Sequence, residues 1–216
     1  MRAEGLFEQL KPILKGTKQS DSVFFYAAYC SYYQGSYLLA AHYFDEFRKT
    51  YANSSFAEEA DFMNAYCTYL LSPRPSLDQS YSYQAMNLIG LYMSRYPNSD
   101  RTDQCISIIE ELRNRLVEKS YQSAKLYYNL GDYKAAIVAL NNSLDNFPQT
   151  KHREEIMFLI LKSKYLIAEN SVANKKIERY QSTVDEYYTF LGEFPNSDFM
   201  KEAQGMYEDA QSNLKN

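Results

Sequence analysis

Apolar residues recur at spacings of three and four along most of the chain. One segment runs Tyr37, Ala40, Ala41, Phe44, Phe47, Tyr51, and another Ile106, Ile109, Leu112, Leu116. This is the period of a helix with one buried face. Breakers cut the pattern into lengths. Ala52-Asn53-Ser54, Pro97-Asn98-Ser99, Pro148-Gln149-Thr150 and Pro195-Asn196-Ser197 each read as a stop followed by a start. Proline cannot continue a helix and disfavours helical geometry in the residue before it, while the Ser or Thr two places on can accept a bond from the next helix's free N–H groups. The pattern predicts about ten helices, roughly 2–15, 19–34, 37–51, 55–71, 79–96, 100–130, 133–147, 151–169, 175–194 and 198–214. Segment 100–130 holds no breaker, so one helix of about 45 Å is expected at 1.5 Å per residue. Two longer connections interrupt the series: residues 72–77, followed by Asp78 as a cap, and residues 169–174.

The segments are copies of one another. Ala28-Tyr29-Cys30-Ser31-Tyr32 returns as Ala65-Tyr66-Cys67-Thr68-Tyr69. A second register places Gly, then Tyr two on, a small residue five on, a bulky apolar residue nine on, and a helix-ending residue seventeen on. Gly35, Tyr37, Ala40, Phe44 and Ala52 fit it, as do Gly131, Tyr133, Ala136, Leu140 and Pro148. Partial copies keep Ala85 and Ile89 before Tyr96-Pro97, and Thr183 and Tyr187 before Phe194-Pro195. The small residue permits close helix approach and the glycine permits the turn. The pattern resembles the tetratricopeptide repeat, which implies an all-α fold of antiparallel helix hairpins in a right-handed superhelix. Residues 1–216 read as a single array. Applying the same offsets to Ala3, Phe7 and Leu10 puts a missing Tyr and Gly upstream of residue 1, so the register predicts that the chain is N-terminally truncated and that at least one helix precedes Met1.

Composition narrows the function classes. With 45% hydrophobic residues in 216, the chain can bury a full core. With 27 acidic against 23 basic residues, it lacks the cationic surplus of a nucleic-acid binder. No apolar run approaches the roughly 18 residues of a membrane span, and residues 1–7 carry no signal-peptide pattern. Cys30, Cys67 and Cys105 show neither zinc nor disulfide spacing, and read as small buried helix residues. His42 and His152 stand in different hairpins without a catalytic motif, and read as surface or half-buried residues. The adjacent pairs Glu58-Glu59, Glu110-Glu111 and Glu154-Glu155 point about 100° apart on a helix, which suits solvated charge better than an acid/base dyad. No catalytic residue, metal or cofactor is expected; an enzyme using the array as a substrate platform ranks last.

The 22 Tyr and 12 Phe are the exception. Phe25, Tyr29, Tyr32 and Tyr33 lie along one stripe, and the copied helix offers Phe62, Tyr66 and Tyr69 at matching offsets; Tyr121, Lys125 and Tyr128 would continue it. Resemblance to tetratricopeptide arrays implies that this stripe lines a concave peptide groove while Ala28 and Ala65 pack inward, although the rings would equally serve as inter-repeat core. Arrays that clasp a C-terminal carboxylate use Lys and Asn in such places, so Phe25 and Tyr29 fit an apolar, aromatic ligand better.

A closer resemblance rests on Ala41-His42-Tyr43-Phe44-Asp45-Glu46-Phe47, on Ala57-Glu58-Glu59-Ala60-Asp61-Phe62-Met63, and on the insert Ser72-Pro73-Arg74-Pro75-Ser76-Leu77-Asp78-Gln79. It continues through Ala124-Lys125-Leu126-Tyr127-Tyr128 with Gly131-Asp132-Tyr133, and through Glu193-Phe194-Pro195-Asn196-Ser197. In these the chain resembles the BamD family, tetratricopeptide lipoproteins of the outer-membrane β-barrel assembly machinery, in a form similar to those of Bacteroidetes. The resemblance implies a non-catalytic scaffold in which residues 1–99 receive unfolded outer-membrane proteins and residues 100–216 dock onto the barrel-insertion subunit and other assembly lipoproteins. It also implies a location at the periplasmic face of the outer membrane, held only by a lipid anchor upstream of this sequence. The alternative is a cytosolic, cytoplasmic tetratricopeptide adaptor or co-chaperone that binds peptide segments.

Overall fold

The computed structural model describes residues 3–14, 16–17 and 19–215. Among these the chain is all-α: α1 (Ala3–Leu14), α2 (Ser20–Tyr33), α3 (Tyr37–Thr50), α4 (Ala57–Leu70), α5 (Ser80–Arg95), α6 (Thr102–Asn129), α7 (Tyr133–Asn146), α8 (Arg153–Glu169), α9 (Ala173–Glu193) and α10 (Met200–Lys215). These are the ten helices of the apolar pattern. The predicted ends of the first helix, Arg2 and Lys15, lie outside the described residues. From α2 on, every boundary falls within two residues of its prediction, the fraying expected of helix ends; α9 is the one that starts early, at Ala173, directly behind Val172, which holds an extended backbone.

The repeat register is a packing register. The small fifth-place residues Ala40, Ala85, Ala136 and Thr183 are wholly buried, and so are the ninth-place Phe44, Ile89 and Leu140, with Tyr187 nearly so. Gly35 and Gly131 take the left-handed conformation, with φ of 76° and 78°, that turns α2 into α3 and α6 into α7. Each second helix closes on an aromatic C-cap. Tyr51, Tyr96, Phe147 and Phe194 donate their N–H to the carbonyls of Phe47, Tyr92, Ser143 and Phe190 at 2.8–3.0 Å. The hydroxyls of Ser54, Ser99, Thr150 and Ser197 then accept from the N–H two residues on, at 3.0–3.3 Å, and so hold the turn that leads into the next helix. Asp78 does the same for Ser80 at 2.9 Å.

The helices pack as two compact units that divide at Leu116/Val117, within α6. In the first unit α1 to α5 each pack on the next, around Phe25, Phe44, Phe47, Phe62, Ile89 and Tyr92. In the second, α7 to α10 do likewise, with clusters around Leu140 and Ile160, around Phe158 and Phe190, and around Tyr180. Ala28 and Ala65 are buried, as the resemblance to tetratricopeptide arrays implies.

Candidate functional site

Helix α2 is apolar nearly all round: Val23, Phe25, Ala27 and Ala28 are buried, while Tyr29, Tyr32 and Tyr33 remain on other faces. A helix of that kind has a second surface to account for once its core face is packed. The predicted stripe in the first unit divides into a floor and a surface. Phe25 and Phe62 are the floor. Phe25 stacks on Phe56 at 4.5 Å between ring centroids and meets Phe44 edge-on, and both phenylalanines are buried, so they support the stripe from beneath. Phe62 stacks on Tyr66 and lies 4.0 Å beneath the Arg101 guanidinium.

Above them the tyrosines form a continuous chain of rings across two helices. Tyr29 to Tyr32 is 6.1 Å, Tyr32 to Tyr66 is 6.4 Å, and Tyr66 to Tyr69 is 5.7 Å. Tyr33 stands against Tyr29 and Tyr32 and is 80% exposed. These are tilted and edge-on arrangements, each worth roughly 0.5–1.5 kcal/mol beyond burial.

The hydroxyls fix the stripe to charged residues that spacing alone does not reveal. Tyr29 donates to Glu59 at 2.5 Å, and Glu59 also receives Arg101 at 2.5 Å. Tyr69 donates to Glu111 at 2.6 Å; Arg115 pairs with the same carboxylate and reaches the Ser72 carbonyl at 2.7 Å. Burial first, and then the bond to Glu59, pushes the Tyr29 phenol far above its ordinary range. The bond to Glu111 raises Tyr69, and the same bond holds the Glu111 carboxyl below its usual value. Phenols held this way stay neutral donors, so the surface offers aromatic rings and paired charges and no activated nucleophile.

In the second unit Tyr121 is buried, its ring stacked on His152 at 3.9 Å and 5°. Lys125 donates to the Tyr121 hydroxyl at 2.8 Å and to Glu155 at 2.6 Å, and the Glu155 bond raises its pKa. Tyr128 is half-buried beside Tyr133. His152 Nε2 lies 2.8 Å from Glu118, and this bond lowers the Glu118 carboxyl pKa.

Glu59, Arg101, Glu111, Arg115, Glu118 and Glu155 escape a reading that takes charged residues as solvated. Their signal lies in the copies: a Tyr or Lys on one first helix meets a carboxylate 30 positions on (Tyr29–Glu59, Lys125–Glu155) or 42 to 44 on (Tyr69–Glu111, Tyr165–Asp209). Among the described residues no group of three or more His, Cys, Asp or Glu could hold a metal, and no helix is long and apolar enough to cross a membrane.

Helix hairpins joined at left-handed glycines, with small residues at the crossing and tyrosines on the first helices, define a tetratricopeptide-like protein. The profile of the YfiO family, described as outer membrane lipoprotein, matches residues 1–179 and 120–216, and the chain belongs to this family. That bears out the BamD resemblance and groups the chain with outer-membrane lipoproteins rather than cytosolic adaptors. Among curated proteins it is similar to the outer membrane protein assembly factor BamD of Caulobacter vibrioides. The two are 24% identical over 162 residues, 74% of this chain and 53% of that protein. A protein of Aquifex aeolicus, named as a candidate BamD assembly factor, is 24% identical over 157 residues, 73% of this chain and 49% of its own length. The chain thus spans about half the length of these relatives.

Proposed function

We propose that the chain is a non-catalytic scaffold of outer-membrane β-barrel assembly at the periplasmic face of the outer membrane. Its α2–α4 aromatic stripe receives unfolded barrel proteins, with residues 1–99 as the substrate part. Residues 100–216 dock onto the barrel-insertion subunit and its companion lipoproteins. The relatives' names as assembly factors support the setting. The observation that carries the site is Tyr33, exposed on a ring chain whose end hydroxyls, those of Tyr29 and Tyr69, are already satisfied by Glu59 and Glu111. Such a surface favours aromatic side chains of an extended peptide, because a new ring gains contact area without leaving a buried donor unpaired. Phe25 and Phe62 hold these rings from below, Tyr32 and Tyr66 join the two helices, and Tyr121, Lys125 and Tyr128 form a second, more polar patch on the later hairpins.

The test is the affinity of a short peptide ending in an aromatic residue for the full chain. Replacing Tyr29 or Tyr66 by Ala should weaken saturable binding by about tenfold or more, the range of an interface hot spot. Unchanged affinity in both variants overturns the site.

A further inference from the structure

The second unit turns twice at one edge, from α6 into α7 over residues 130–132 and from α8 into α9 over residues 170–172. A hollow of about 450 Å³, lined by Gly131, Asp132, Lys134, Asn170 and Arg179 among others, sets the two turns side by side. Both carry an open aliphatic side chain at the tip. Leu130 is 72% exposed on the first and Val172 66% on the second, and Ile177, one turn into α9, is 67% exposed.

The charge around these tips runs against that of the chain. Segments 130–134 and 170–179 hold four basic residues and two acidic, whereas over the whole chain acidic residues outnumber basic ones by four. Among the described residues Lys134, Lys175 and Lys176 make no ion pair and no side-chain hydrogen bond, and the Arg179 guanidinium donates to the Ser171 hydroxyl, which carries no charge. Of the acids, Asp132 caps α7 by accepting from the Ala135 N–H at 3.2 Å, and Glu178 pairs with none of the four cations. Glu169, just before the second turn, lies by Tyr165 and Tyr180 and helps raise their phenol pKa values. Helix α9 starts without a side-chain cap, so the positive end of its dipole adds to the lysines.

We propose that this edge rests on an anionic lipid leaflet. Leu130, Val172 and Ile177 enter the boundary between headgroups and acyl chains, and Lys134, Lys175 and Lys176 meet the headgroup phosphates. The outer-membrane location proposed above, on which this rests, sets a leaflet within reach. A rigid protein surface would need a separate pocket for each protruding tip, whereas a fluid interface takes them in as they stand.

The chain contains no tryptophan, so Val172→Trp places a single reporter at a turn tip. Its emission should shift to the blue when the variant is titrated with phosphatidylcholine vesicles containing phosphatidylglycerol, and far less with phosphatidylcholine alone. The unsubstituted chain should float with the first vesicles and not with the second. Adding Lys175→Glu and Lys176→Glu should raise the lipid required tenfold or more, and high salt should act likewise by screening the headgroups. Lys201→Trp, at the start of α10 and so beyond the far end of α9, should show no shift. All the replaced side chains reach solvent, so the variants keep the fold, which circular dichroism checks. The proposal is overturned if neither the shift nor the flotation occurs, if charge reversal leaves the titration unchanged, or if the lysines bind soluble polyglutamate while the vesicles stay unbound, which would make the occupant an acidic protein segment. Purified vesicles report on the edge alone; the location is read separately, by fractionating cell membranes.

Discussion

Phe44 and Tyr33 show what burial does to aromatic residues of similar size. Phe44 is wholly buried at the ninth place of the register, between Phe25 and Tyr29. Truncation to Ala leaves a cavity that neighbouring rings cannot fill, so Phe44→Ala should cost about 3–5 kcal/mol in a urea titration. Tyr33, largely in solvent, should lose no more than about 0.5 kcal/mol as Tyr33→Ala, which keeps its role in binding separable from stability. The register made the first residue legible, because a bulky apolar side chain four after a small one, on a periodic stripe, has only one place to go. It did not distinguish floor from surface within the stripe. Phe25 and Tyr29 are four apart on one helix, and only tertiary neighbours, Phe47 and Phe56, make one of them core.

Between helices, the two full copies differ at one position with a measurable consequence. Asp132 caps α7 by accepting from the Ala135 N–H at 3.2 Å, whereas the equivalent Ser36 makes no such bond to α3. Asp132→Ala should therefore lower stability by about 1 kcal/mol while Ser36→Ala leaves the melting temperature nearly unchanged; equal losses would refute the asymmetry. At the neighbouring turns Gly35→Ala and Gly131→Ala should each cost about 1 kcal/mol, because a Cβ is disfavoured at positive φ even though space is open around both. Helix number and nearly all boundaries were readable because proline, the left-handed glycine and the Ser/Thr turn act locally. The tyrosines hydrogen-bonded to carboxylates were not, because Tyr69 and Glu111 stand on different helices and nothing local distinguishes a paired glutamate from a solvated one.

Over the whole molecule, phenols that folding shields from water should weaken stability at alkaline pH. Burial pushes Tyr92 and Tyr165 up to about 12 from the ordinary 10.0. Since the folded value lies above the unfolded one, the stabilisation is complete below pH 10 and is lost as pH rises toward 12. Thermal melts should show a falling Tm across that window, and Tyr92→Phe should flatten its alkaline limb. On the acid side Glu111 and Glu118 sit below their unfolded values, so their contribution is present above about 4.5 and fades as pH drops further. The tetratricopeptide class could be read from the repeat register, and the family only by resemblance, in segments such as Ala57-Glu58-Glu59-Ala60-Asp61-Phe62-Met63 and Glu193-Phe194-Pro195-Asn196-Ser197. The use of the tyrosine-rich face is the account's central claim, and site-specific photocrosslinking tests it most directly. With p-benzoylphenylalanine in place of Tyr33, incubation with an unfolded outer-membrane barrel protein should give a covalent adduct on irradiation, and the same probe at Val138, an exposed position on α7, should give none. An adduct at Val138 with none at position 33 would contradict the assignment.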